Sequence, residues 1–469
     1  MKRSPLTGKT LLSIGYPSTA VMKLAMAIMS DYKPELSEAD VLTLLSNIKD
    51  NPTMFIEDPE LSAIARYFMP KEDETISLKE EMIPYETYGA NNIQAGAFSQ
   101  MNNAMRLPVT FGGALMPDAH QGYGLPIGGV LATENAVIPY GVGVDIGCRM
   151  CLSIVDVPLE SFDHSKQKLA TAIENNTQFG AGGQWKKPND AAVLDDPAFK
   201  TLPLLRALHE KAVKQLGTSG GGNHFVEWGI VTITDVDNEF NLPVGDYVAL
   251  LSHSGSRALG GQIAQHYSKI AESVCPLPGD AKKLAYLSMD SEAGQEYWLA
   301  MTLAGEYASA CHHDIHHRVL TSIGAKLLAR VENHHNFAWE ETYDGKNYIV
   351  HRKGATPAGK GVLGVIPGSM ATPGYIVRGK GERLSFNSAS HGAGRMMSRT
   401  QSEKANNWQD VNAFLKANHV TLLSAGLDEA PSAYKDIDLV MKEQIDLVDV
   451  IGKFQPRIVK MADDGTKED

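Results

Sequence analysis

Glycine placement constrains this chain more than any other feature. The 469 residues include 43 glycines. From about residue 90 they punctuate short apolar runs, as in LPIGGVLA (125–132), YVALLSHSGS (247–256) and GVLGVIPGSM (361–370). Short β-prone runs bounded by glycine and proline read as strands. Residues 203–216 and 296–332 read as helical. The two kinds of segment mix without a regular βαβ rhythm, so the expected class is α+β.

The first 75 residues have a different character. TAVMKLAMAIM (19–29) is made of good helix formers. SEADVLTLLSNI (37–48) opens on a capping-type serine, Ser37, and continues at helical spacing. No Gly, His or Cys motif occurs there. Residues 1–75 therefore read as a helical N-terminal extension, and residues 76–469 as one large unit. The apolar stretch Ala20–Met29 is short and carries Lys23, so it cannot span a bilayer, and no leader peptide is evident. Four cysteines are too few for a disulfide-stapled fold of this length. The expectation is a cytoplasmic protein with reduced thiols and no membrane partner. A net charge of −12 argues against a surface that coats nucleic acid. It still allows a nucleic-acid end to be held in a small basic patch beside bound metal ions.

Several glycine-rich segments carry residue types that can do chemistry. MPDAHQGYGLPIGG (116–129) places Asp118 and His120 in a loop whose amides can hold an anion; a tight structural turn is the plain alternative. GVGVDIGCRM (141–150) sets Asp145 three residues before Cys148. A carboxylate and a thiolate in one turn can share a metal, although a buried inert cysteine is also common. In GTSGGGNHFVEWG (217–229) the glycines allow a ligand close to the backbone. There Asn223 can donate to phosphate, and His224 can bind metal. In LSHSGSRALG (251–260) His253 ends an apolar strand and Arg257 suits phosphate. SHGAGRMMSR (390–399) surrounds His391 with glycines, Arg395 and Arg399. That pattern fits a nucleophilic or ligand histidine beside bound phosphate. CHHDIHHRVL (311–320) holds His312/His316 and His313/His317 at i, i+4, but no HExxH. Two parallel pairs on one helix read as a polar face. No GxxxxGK[ST] loop is present, which argues against kinase-type nucleotide binding.

Taken in order, these strings resemble the RtcB family of RNA ligases. HHNFA (334–338), VHRKGAT (350–356), PGSM (367–370) and DEAPSAYKDID (428–438) extend the likeness, which covers roughly residues 95–460. The resemblance implies an RtcB-type fold, with central β-sheets surrounded by helices, over a single catalytic domain at 76–469. It implies a ligase that uses GTP and two Mn²⁺ ions. Such an enzyme joins an RNA 3′-phosphate or 2′,3′-cyclic phosphate to a 5′-hydroxyl, in RNA repair or tRNA splicing, through a histidine–GMP intermediate and an RNA–ppG end. On this chain the nucleophile would be His391. The metal ligands would be Asp145, Cys148, His224, His253 and His335. Cys148 would lie between the ions, His224 and His253 on one, Asp145 and His335 on the other. Guanylate contacts would come from Asn223, His224, Phe225, Val226 and Glu227, from His335 and Asn336, and from Pro367, Gly368, Ser369 and Met370. Gly392, Ala393 and Gly394 beside His391, then Tyr434 and Lys460, complete that set. Arg257 and Arg399 would hold RNA or triphosphate oxygens. Gly374 stands where the family often has serine, one of the marks of a divergent bacterial-type branch. Two other readings stay open: an enzyme that guanylylates 3′ ends without sealing them, and an inactive RNA-binding subunit. The likeness also leaves room for an activating protein partner.

Overall fold

The computed structural model describes residues 6–17, 20–32, 36–69 and 75–463. The chain divides into two compact units, Met1–Glu74 and Thr75–Asp469.

The first unit contains the helices Gly8–Ser13, Ala20–Asp31, Glu38–Asp50 and Ser62–Phe68. Ser37 starts the third with a capping box. Asp40 N donates to Ser37 Oγ (3.3 Å), and Ser37 N donates to Asp40 Oδ2 (3.2 Å). Val41, Leu45 and Ile48 then recur on one face and bury against Leu11, Val21, Met29 and Ile64. Each such side chain contributes about 1.5–3 kcal/mol by leaving water, enough to give the unit its own core.

The second unit has a mixed α+β architecture, with two large sheets and helices around them. One sheet has five strands: Glu86–Thr87, Thr110–Tyr123, Leu125–Thr133, Lys346–Lys353 and Asn336–Tyr343, in that spatial order. The other has eight. Along its path lie Leu363–Ile366, Gly374–Gly379, Val448–Met461, Phe225–Ile233, Gly245–Ser254, Arg149–Val155 and Leu327–His334, and Thr421–Ser424 pairs with Val448–Met461. Asn333 links the two ends of this path, accepting from Val365 N (2.8 Å) and donating to Val365 O (3.2 Å). The sheet is thereby nearly closed. The apolar runs read as strands do form strands, at Leu125–Thr133, Gly245–Ser254 and Leu363–Ile366.

Alternation along the eight-stranded sheet decides what faces the site. Val226, Trp228, Val248 and Leu250 fall in one core cluster. Met150, Leu152, Ala249 and Leu251 fall in another, on the opposite face. Helices Lys166–Asn176 and Glu292–Ile323 cover the sheet, and both pack into the core that holds Val226 and Trp228. The second is shorter than its sequence suggested. It stops at Gly324, which takes a left-handed conformation (φ 75°), and residues expected to continue it form the strand Leu327–His334. The four histidines of this helix are also not one polar face. His313 and His317 are exposed, but His312 and His316 are fully buried against the sheet. Among the described residues no helix is long and apolar enough to cross a membrane.

Candidate active site

Strand ends and the loops after them deliver the expected metal ligands to one place. Cys148 immediately precedes the strand Arg149–Val155, His224 immediately precedes Phe225–Ile233, and His253 lies near the end of Gly245–Ser254. His335 sits between two strands. Cys148 Sγ lies 3.5 Å from His224 Nε2 and 3.1 Å from His253 Nε2. His224 Nε2 is 3.0 Å from Asp145 Oδ2, and His253 Nε2 is 3.2 Å from His335 Nε2. All five side chains are brought together. Their contacts pair Asp145 with His224 and His253 with His335, and Cys148 touches both His224 and His253. Gly255 permits this closeness, since a Cβ there would collide with the Asp145 carboxylate.

The donor chemistry fits a transition-metal ion. His253 Nδ1 donates to Asn223 O (3.1 Å), so its Nε2 lone pair points into the cluster. Burial, then the neighbouring His224, holds His253 well below the ordinary histidine pKa. Burial and His391 do the same for His335. Both rings are neutral, as metal ligands must be.

His391 follows the short strand Ser388–Ser390 and is gripped by Asp118. Asp118 Oδ2 accepts from His391 Nδ1 (2.6 Å), His391 N (3.1 Å) and Gly392 N (3.4 Å). Burial alone would push Asp118 up. The charge of and hydrogen bond from His391, then Lys435, outweigh it and hold the carboxyl below its usual value. Asp118 therefore stays ionised and keeps the proton on Nδ1, which leaves the ring's lone pair on Nε2. Gly394 has φ +74°, and a Cβ on it would strike the Asp118 backbone. The His391 ring centroid is 4.9 Å from that of His335, which sets the histidine beside the ligand cluster.

Two cavities meet at His391. One is lined by Asn223, Phe225, Glu227 and Tyr434, by Pro367 to Met370, and by His391 to Gly394, all expected around a guanylate. Gly374 lines it too, so the family's serine hydroxyl is missing from this wall. Burial raises the Glu227 carboxyl well above its ordinary pKa. Tyr434 donates to Glu429, and Arg395 stacks 5.2 Å over its ring. The second cavity is a cleft lined by the cluster and by Asn336, Lys353, Arg395 and Arg399.

Other expected contacts lie elsewhere. Val226 and Lys460 are register partners on the face turned away from this first cavity. Val226 joins the core behind the sheet. Lys460 Nζ donates to Thr177 Oγ1 (3.2 Å), while Val459 and Met461, its alternating neighbours, line the cavity. Asn336 borders the cleft instead, bonded to Asp145 O and Gly354 N. Arg257 is 5% exposed and lines neither cavity. It donates to Thr218 Oγ1 (3.1 Å) and Gly180 O (2.7 Å), bracing the glycine-rich loop rather than facing RNA. Arg399 does reach the cleft, but it is bonded to Asp428 and Glu429. Sequence reasoning noted Asp118 without assigning it a role, and it did not single out Glu429 or Lys435. Asp118 had a signal in its glycine-rich loop, whereas Glu429 lay in a string with no charge pattern to mark it.

A family model described as "tRNA-splicing ligase RtcB" matches residues 100–201 and 198–461. The RNA-splicing ligase RtcB of Escherichia coli K12 is 35% identical over 391 residues, covering 76% of this chain and 92% of that protein. The tRNA-splicing ligase RtcB of Thermococcus kodakarensis is 30% identical over 473 residues, covering 83% and 96%. That of Nanoarchaeum equitans is 31% identical over 411 residues, covering 73% and 86%. The fold and these matches define an enzyme, an RNA ligase. The chain belongs to the RtcB family.

Proposed function

We propose that this ligase seals RNA 3′-phosphate or 2′,3′-cyclic phosphate ends to 5′-hydroxyl ends, using GTP and Mn²⁺ through a guanylate on His391. The observation that carries the reading is the 2.6 Å bond from His391 Nδ1 to the buried Asp118, with Nε2 left free of a proton at the meeting of two cavities.

His391 Nε2 attacks the α-phosphorus of GTP. A P–N bond forms, the bond to pyrophosphate breaks, and positive charge builds on a ring facing the Asp118 carboxylate. An RNA 3′-phosphate oxygen then attacks that phosphorus, breaking P–N and giving RNA–ppG. The 5′-hydroxyl attacks the RNA 3′-phosphorus, loses its proton and expels GMP. A cyclic phosphate is first hydrolysed by water. Asp145, Cys148, His224, His253 and His335 would hold two ions, whose charge offsets that developing on phosphate oxygens. The glycine-rich walls and Phe225 bind the nucleotide. Glu227 offers a buried acceptor that suits the N–H edge of guanine. Repair of broken RNA and splicing of tRNA both present these ends, and the names of the relatives support the second.

Labelled GTP with Mn²⁺ should leave GMP on the protein, and His391→Ala should abolish it. Full labelling of that variant removes His391 as the nucleophile. Labelled RNA ends that gain GMP but are never joined would instead make the enzyme a capping one.

A further inference from the structure

The helix Glu292–Ile323 brings a second ligand cluster against the back of the sheet. Cys151, His312 and His316 are buried, and one donor atom of each lies within 4.8 Å of the others. None lines either cavity. Register pairs Cys151 with Ser252, whereas Met150 pairs with His253, so this cluster and the catalytic one occupy opposite faces of the same strands.

The hydrogen bonds turn the rings toward a common point. His312 Nε2 lies 3.1 Å from Ser254 O, which can only accept, so Nδ1 presents a lone pair. That Nδ1 meets Ser252 Oγ at 2.6 Å, and His316 Nε2 meets the same oxygen at 2.8 Å. His316 Nδ1 is in turn bonded to Ser153 Oγ (2.7 Å). Anchoring the far nitrogen of each imidazole in this way is how proteins orient metal-binding histidines. Spacing of i, i+4 sets both rings on one helix face, and the strand Arg149–Val155 supplies the thiol opposite them.

We propose that Cys151, His312 and His316, with Ser252 Oγ as the fourth donor, form a structural zinc site that staples the Glu292–Ile323 helix to the sheet behind His253. One thiolate, two imidazoles and an oxygen make a donor set that zinc accepts in tetrahedral geometry. Binding forms one Zn–S, two Zn–N and one Zn–O bond. The Cys151 thiol proton leaves to solvent. The His316 proton moves from Nε2 to Nδ1, which then donates to Ser153 Oγ, while the Ser153 hydroxyl hydrogen turns away from His316 and the Ser252 hydroxyl hydrogen turns away from His312. Glu332, the register partner of Cys151 on the other side, is already paired with Arg149 (2.8 Å) and His313 and is not a ligand. Without zinc the same histidines and serines close a neutral hydrogen-bond chain. That chain has no use for a cysteine, and Cys151 is the feature that favours an ion.

The test separates this site from the catalytic cluster by the cysteine removed. Untagged Cys148→Ala protein is loaded with Co²⁺ and its absorption spectrum recorded. A thiolate-to-cobalt charge-transfer band is expected, and it should vanish in Cys148→Ala/Cys151→Ser. A folded Cys148→Ala protein without the band overturns the proposal. Wild-type crystals grown with zinc give a second measurement that needs no variant. A zinc-edge anomalous peak among Cys151, His312 and His316 supports the site, and a peak confined to the Cys148 cluster overturns it.

Discussion

Asp118→Asn tests the chemistry at its most constrained point. Asp118 Oδ2 accepts from two backbone amides and from His391 Nδ1. Amides can only donate, so the oxygen of an asparagine must stay at that position. Its NH₂ then falls where Oδ1 now lies, buried and without a hydrogen-bond partner. The Nδ1–H bond survives as a neutral one. What is lost is the negative charge facing an imidazole that becomes cationic as the N–P bond forms. A charge-assisted bond is worth about 1.5–3 kcal/mol against about 0.5–1.5 for a neutral one. The difference, about 1.3 kcal/mol of transition-state stabilisation, corresponds to roughly tenfold in rate. The assay is single-turnover transfer of labelled GMP from GTP to the protein, with melting temperature as a check on folding. Asp118 is held below its ordinary pKa, so its charge contributes above the unfolded value near 3.9 and is lost only as pH falls through the lower folded value. The defect should therefore be the same from about pH 6 to 8, well above both values. A folded Asp118→Asn enzyme that labels within about threefold of wild type, which is less than 1 kcal/mol, refutes the role given to this carboxylate.

Other perturbations follow from the same geometry. Cys148→Ala removes the thiolate common to the His224 and His253 contacts and should slow GMP transfer by at least about 100-fold, the scale of losing one fixed electrostatic donor; chelation followed by Mn²⁺ return should abolish and then restore wild-type labelling. Burial raises the Glu227 pKa, so its neutral form favours folding below the unfolded value near 4.3, and that advantage fades as pH rises toward the folded value. Glu227→Gln should accordingly gain thermal stability over wild type as pH increases, while losing preference for GTP over ATP in labelling. Arg257→Ala should cost about 1–3 kcal/mol of stability in denaturant melts, because it removes a buried charged donor from Thr218 Oγ1 and Gly180 O, which keep only their local bonds.

Much of the site was legible because its residues sit in glycine-rich strings, where a side chain at a loop or strand end has little structural reason to be there. His391, Cys148, His224 and His253 are of this kind. The missing information was orientation. Val226 and Glu227 are adjacent in a motif, yet a strand sends them to opposite faces, one to the core and one to the cavity. The same alternation separates Lys460 from Val459 and Met461. Arg257 shares a string with His253, but the turn between them directs it into the loop it braces. Long-range partners were equally hidden. Asp118 and His391 are 273 positions apart, and no local pattern announces that one grips the other.

The buried histidine pair exposes a bias in reading helices by polarity. His312 and His316 carry the same residue type as His313 and His317, but the first pair lies on the stripe of Ile315, Val319 and Leu320 and the second beside Asp314 and Arg318. Counting the histidines alone hides that contrast. Ser153, Ser252 and the Ser254 carbonyl are the polar groups that make it possible to bury two imidazoles without leaving their nitrogens unpaired. The strand Gly245–Ser254 thus has polar side chains on both faces at its C-terminal end. His253 serves the catalytic cluster, while Ser252 and Ser254 fix the helix behind it. An apolar residue at 252 would strand both imidazoles and loosen the support under His253. The strand that carries His253 is therefore braced from its other face by a polar contact to the helix.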